Sequence, residues 1–160
     1  MAKHREAGTA KGGWWPRRGE IYLTSLDPTV GHEIQKTRPA LVIQNDTSNR
    51  YGAVTMVAPV TSTVRLPLSP LHVLLPAGAA TGLAVASVAV FNQIRTVDRR
   101  RLVKRLGAAD AHAMKQVAEA IRVAFRLDPD RPEPRDDPPS TITRAISQST
   151  KDLQTGRYEE

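Results

Sequence analysis

Cysteine is absent from the 160 residues, which excludes disulfides and thiolate metal sites and suits the cytosol. No apolar run approaches the ~20 residues that a membrane-spanning helix needs. The longest, LAVASVAVF (Leu83–Phe91), is strand-sized. The charges near the N-terminus have no apolar core behind them, so no secretory signal is expected. Neither of the glycine-rich phosphate loops, GxGxxG and GxxxxGKS/T, occurs, and there is no internal repeat and no zinc-type ligand cluster. These absences lead us to expect a cytoplasmic chain with no metal, no bound cofactor and no membrane partner.

What the chain does have is positive charge. Its 23 Lys and Arg outnumber 16 Asp and Glu, for a net +7. Residues 17–127 carry 15 of these cations against 7 anions, whereas residues 128–160 carry 5 against 8. A basic body favours an anionic partner, nucleic acid first; an arginine-rich solvated surface is the plainer alternative.

Length suits one domain with its own core. Residues 1–16 read as a flexible leader, with Trp14 and Trp15 near its end able to pack on the body or stack on bases. Residues 128–160 hold five prolines and few large aliphatics, so a disordered tail is expected, with a short helix at 140–154 on binding a partner. Between them, Glu20–Leu26 alternates as a half-buried strand does. Pro39–Asn45 is apolar almost throughout, as a strand buried on both faces is. Asp46–Gly52 suits one helical turn or a tight loop. Ala53–Val60 is another strand, with Pro59 implying an edge or a bulge. Leu71–Leu75, Ser87–Ile94 and Arg101–Leu106 complete the strands. Asp110 caps a helix whose apolar stripe is Met114, Val117, Ala118, Ile121 and Phe125. The fold class is therefore mainly β with a C-terminal α-helix, a small curled barrel covered by that helix.

Arg38 closes a polar loop immediately before Pro39 and the most apolar strand. Its guanidinium is a rigid fork matched to phosphate oxygens. Thr61 offers a compact donor at the end of a second strand, and Glu33 can orient the guanidinium or accept a proton. RNA carries its own nucleophile, the 2′-OH, so positioned cations and donors supply much of what its cleavage needs. Arginine holds its proton too firmly to be a ready base, which makes Arg38 an anchor first. The basic run Asp98–Arg101 with Lys104 and Arg105 can track phosphates or be a solvated charge run.

The strings RGEIY, LDPTVG, TRPALVIQND, APVTS and QIRTVD occur in this order between Arg18 and Asp98. Together they resemble the MazF/PemK family of toxin endoribonucleases, and the resemblance covers about residues 17–127. It implies an SH3-like barrel of the CcdB/PemK type, acting as a homodimer. It implies metal-independent cleavage of single-stranded RNA that leaves a 2′,3′-cyclic phosphate and a 5′-OH. It also implies a cognate antitoxin whose acidic segment covers the RNA groove. The family's catalytic Arg and Thr fall on Arg38 and Thr61, and its loop glutamate on Glu33. Asn92 and Gln93 fall on a pair that reads RNA bases in some members. His32 stands where the family often has Ser and could contact RNA; Asn92 replaces an acidic residue of some relatives. A non-enzymatic toxin of this fold that inhibits DNA gyrase, and a barrel that binds RNA or protein without cutting, are the alternatives.

Overall fold

The computed structural model describes residues 13–132; the expected tail helix and most of the leader lie outside the described residues. Seven strands and two helices follow in the order β1 (Glu20–Ser25), β2 (Thr37–Val42), α1 (Asp46–Tyr51), β3 (Val54–Thr61), β4 (His72–Leu75), β5 (Ser87–Val90), β6 (Arg95–Asp98), β7 (Leu102–Ala108) and α2 (Ala111–Phe125). Every strand pairing is antiparallel, in the order β4-β5-β3-β2-β1-β7, and β6 pairs with the first half of β3. The class is the expected one, but the sheet does not close: β4 and β7 end it without a ladder between them. The loop after β4 reaches β7 instead, where the Ala108 N–H donates to the Ala80 carbonyl at 2.9 Å. Glycine makes this approach possible, because a Cβ on Gly107 would lie 2.3 Å from the Ala80 oxygen.

β2 is central because its residues feed two cores in alternation. Leu41, and Ile43 just past the end of β2, join Ile21, Ala58, Val60, Phe91 and Val117 beneath α2. Ala40 and Val42 join Tyr22, Val57, Val97 and Leu102 on the opposite face. Each fully buried aliphatic side chain contributes about 1.5–3 kcal/mol, so both faces hold the strand. Trp14 packs against the second core, its ring 5.7 Å from that of Tyr22 in an edge-to-face arrangement. Trp15 lies beneath the Arg17 guanidinium at 4.2 Å.

Three local expectations need correction. Pro59 is on an interior strand, opposite Ala40. It is tolerated because β3 changes its other partner there, pairing with β6 through Val57 and with β5 from Val60. The strand read as Ser87–Ile94 stops at Val90 and turns through a 3-10 turn, Phe91–Gln93, into the unforeseen β6. The buried stripe of α2 is Ala113, Val117 and Ala120, with Met114 and Ile121 at its border. Ala118 is exposed and Phe125 is 59% exposed. Small residues at the contact let the helix lie close to the sheet. The expected cap holds, with the Asp110 carboxylate accepting from the Ala113 N–H at 2.8 Å.

Asn49 ties α1 to β3. It is fully buried. Its Oδ1 accepts from the Thr55 hydroxyl at 2.7 Å and the Gln44 amide at 3.0 Å, and its Nδ2 donates to the Gln44 carbonyl at 2.9 Å. Among the described residues no helix is long and apolar enough to cross a membrane. Asn49→Ala strands the buried Thr55 hydroxyl and should cost about 2–4 kcal/mol in urea denaturation; a loss below about 0.5 kcal/mol would show that this network is not what fixes α1.

Candidate nucleic-acid interface

The β2–β3 ladder ends just short of the two expected catalytic residues. Ala40 pairs with Pro59, Leu41 with Ala58 and Val42 with Val57. Arg38 and Thr61 each lie two residues beyond the Ala40–Pro59 pair that ends this ladder. On its other side Arg38 pairs with the fully buried Thr24 of β1. By strand alternation Arg38 is on the Ala40 and Val42 side of β2 and Thr61 on the Val57 side of β3, so both lie at the loop end of the smaller core's face.

The backbone entering β2 aims the guanidinium. Lys36 takes a left-handed conformation (φ 72°), which turns the chain so that the Arg38 Nε donates to the Gln35 carbonyl at 2.9 Å. The two terminal nitrogens of Arg38 make no hydrogen bond or ion pair among the described residues, although the residue is half-buried. Thr61 is also half-buried; its Oγ1 accepts from the Thr63 N–H at 3.2 Å, which leaves its own proton to donate. The site therefore presents a one-sided cationic fork and a hydroxyl, both donors, as an anionic oxygen requires.

Three side chains from one later segment pin the loop between β1 and β2. Gln93 Oε1 accepts from the Ile34 N–H at 2.6 Å while its Nε2 donates to the His32 carbonyl at 3.3 Å. Arg95 donates to the Leu26 carbonyl at 2.8 Å. Arg101 donates to the carbonyls of Ser25 (3.0 Å) and Asp27 (2.5 Å). The Leu26 N–H closes the loop's neck on the Lys36 carbonyl at 3.0 Å. Sequence reasoning did not single out Arg95, and it read Arg101 only as part of a basic run. No local signal marks either role, since the carbonyls they meet lie 69 to 76 residues away in sequence.

The remaining candidates fall in different places. Glu33 is exposed and its carboxylate accepts from the Val30 N–H at 3.2 Å, so it shapes its own loop and makes no bond to Arg38. His32 is exposed on the same loop, and Asn92 is exposed in the 3-10 turn beside Gln93. Gln93, expected to read a base, has both ends of its amide engaged by backbone.

The basic run dissolves into separate roles. Arg100 pairs with Asp98 at 3.0 Å, a hydrogen bond that holds the Asp98 carboxyl below the usual range. Arg105 pairs with Glu20 at 2.9 Å, and Glu20 also accepts from the Tyr22 hydroxyl and the Arg17 N–H. Burial, and next the Glu20 hydrogen bond, push the Tyr22 hydroxyl well above its ordinary pKa. No group of three or more His, Asp or Glu positioned to hold a metal occurs among the described residues.

Arg95→Met removes a charged donor from the carbonyl of the fully buried Leu26. It should lower unfolding free energy by about 1–3 kcal/mol, measured by denaturant titration; unchanged stability would show that the loop does not depend on this bond.

Comparison with known proteins agrees with this fold. The family model for the PemK-like, MazF-like toxin of type II toxin-antitoxin system matches residues 17–125. The chain is 37% identical over 111 residues to Endoribonuclease EndoA of Bacillus subtilis, covering 69% of this chain and 95% of that protein. The structure of MazF from Deinococcus radiodurans superposes with a TM-score of 0.60 at 28% identity, over 71% of this chain and 98% of that one. An endoribonuclease in complex with its cognate antitoxin, from a mycobacterial species, gives 0.58 at 25% identity, over 70% and 96%. With most of its described residues matched by that family model, the chain belongs to the PemK-like, MazF-like toxins of type II toxin–antitoxin systems.

Proposed function

We propose that this toxin is a sequence-specific endoribonuclease that cuts single-stranded RNA without a metal cofactor. The observation that carries the reading is the half-buried Arg38, whose terminal nitrogens are unpaired among the described residues, with Thr61 likewise two residues beyond the end of the β2–β3 ladder. Arg95 and Arg101 nearby are engaged by loop carbonyls, whereas the outer nitrogens of the Arg38 fork are open to a phosphate. Further support comes from the endoribonuclease relative.

In this reading the fork of Arg38 holds a non-bridging oxygen pair of the scissile phosphate, and Thr61 donates to the same group. The 2′-oxygen attacks phosphorus, the P–O5′ bond breaks, and the products are a 2′,3′-cyclic phosphate and a 5′-OH. The 2′-proton goes to a base and the 5′-oxygen takes up a proton, so the step is balanced without a water molecule. Charge accumulates on the phosphorane oxygens, where preorganised donors lower the barrier most. Glu33 acts on its loop and, once RNA is bound, is the nearest carboxylate in sequence to serve as base. His32 and Asn92, both exposed at this rim, meet the flanking bases.

The unit that acts is residues 17–127, working as a homodimer in the cytoplasm, where its RNA is. A cognate antitoxin silences it, as the mycobacterial endoribonuclease in complex with its cognate antitoxin suggests; an acidic segment laid over the face that holds Arg38 is the form of block this reading favours.

Arg38→Ala should lower the single-turnover cleavage rate by roughly 10²–10⁴-fold while circular dichroism and the unfolding midpoint stay as in the wild type. A folded Arg38→Ala protein cutting at the wild-type rate would remove the assignment.

A further inference from the structure

We infer that Gln93 is a positioning residue, a latch that holds the β1–β2 loop so that Arg38 faces the phosphate. This rests on the nuclease reading of Arg38. The inference starts from where Gln93 is anchored. It ends the 3-10 turn that follows β5, and Phe91 in the same turn is 2% exposed. The Phe91 N–H also donates to the Leu71 carbonyl at 2.8 Å. The turn is thus fixed in the larger core, while the loop it meets is mostly exposed.

From this fixed point a short bonded line runs to the guanidinium. Gln93 Oε1 takes the Ile34 N–H at 2.6 Å, 59 residues away in sequence. The next residue, Gln35, gives its carbonyl to the Arg38 Nε at 2.9 Å. Lys36, between them, is in the left-handed conformation that the turn requires. On the other side Gln93 Nε2 donates to the His32 carbonyl at 3.3 Å. The loop backbone is gripped at a donor and at an acceptor two residues apart.

Only a side chain with one acceptor and one donor at its tip can hold both. Glutamate keeps the acceptor for Ile34 and loses the donor for His32. Leucine keeps the approximate size and loses both. This grading separates a latch from a base reader. A latch acts on the geometry of the catalytic cation, so its loss falls on kcat and leaves the cleavage sequence alone. A base reader acts on substrate choice, so its loss falls on KM and on the sequence cut.

The test uses the full chain with Gln93→Leu and Gln93→Glu. In the free protein, amide hydrogen exchange at Ile34 should quicken on the order of tenfold or more in Gln93→Leu. Gln93→Glu, which keeps that bond, should stay near wild type at Ile34. With RNA, Gln93→Leu should lower kcat by roughly 10–10²-fold, the scale of a misplaced catalytic group, with KM and cleavage sequence unchanged. Gln93→Glu should fall between it and wild type. Unchanged Ile34 exchange in Gln93→Leu, or an altered cleavage sequence with unchanged kcat, would overturn the latch. The exchange measurement needs no RNA, so failure of the wild-type protein to cut RNA counts against the nuclease reading and not against the latch. If Gln93→Leu does not fold, kcat and cleavage sequence in Gln93→Glu decide: wild-type kcat or an altered sequence overturns the latch.

Discussion

A strand that is apolar on both faces is constrained by size as well as by polarity. β2 sends Leu41, with Ile43 just past its end, into the core under α2 and the smaller Ala40 and Val42 into the core beside Trp14. A slip of one residue would exchange these sets. Leucine would enter a space shaped for alanine, at about 1–3 kcal/mol for overpacking, and the larger core would be left with voids. The same register carries the site, because Arg38 and Thr61 lie two residues beyond the last paired residues of β2 and β3. Core packing and active-site geometry are in this sense one constraint.

Around that axis the chain distributes positive charge unequally. Arg100 and Arg105 answer carboxylates, and Arg95 and Arg101 answer loop carbonyls. Arg38 keeps only its Nε engaged. In the proposed nuclease reading, such an arrangement favours a phosphodiester over a generic anion. The fork supplies parallel donors, Thr61 adds a third, and the engaged Nε limits how far the group can swing. Little reorganisation is then needed when negative charge grows on the phosphate.

Much of this was legible from residues alone, for physical reasons. β1 alternates, β2 is apolar on both faces, and α2 begins with an aspartate cap, so each announces itself. β6 does not, because among its residues Arg95, Thr96, Val97 and Asp98 only Val97 is buried. It becomes a strand by pairing with β3, a long-range fact with no local trace. Pro59 read as an edge signal because a missing N–H is harmless in two settings, at an edge or where a strand changes partner; local sequence cannot choose between them. The buried α2 stripe differs from the expected one because Ala113 and Ala120 face the sheet, where close packing favours small residues, while Ala118 and Phe125 are exposed. In the site, the spacing of Arg38 and Thr61 was legible through a family resemblance. The duties of Gln93, Arg95 and Arg101 were not, since each bonds to backbone more than 50 residues away.

The central claim is that this pair of donors promotes attack by the RNA's own 2′-OH. Its most direct test is incubation of the purified protein with mixed-sequence single-stranded RNA in EDTA, with both new ends mapped at every cut. The account predicts cuts at one short recurring sequence, each leaving a 2′,3′-cyclic phosphate and a 5′-OH. Absence of cleavage, or products ending in a 5′-phosphate, would contradict it.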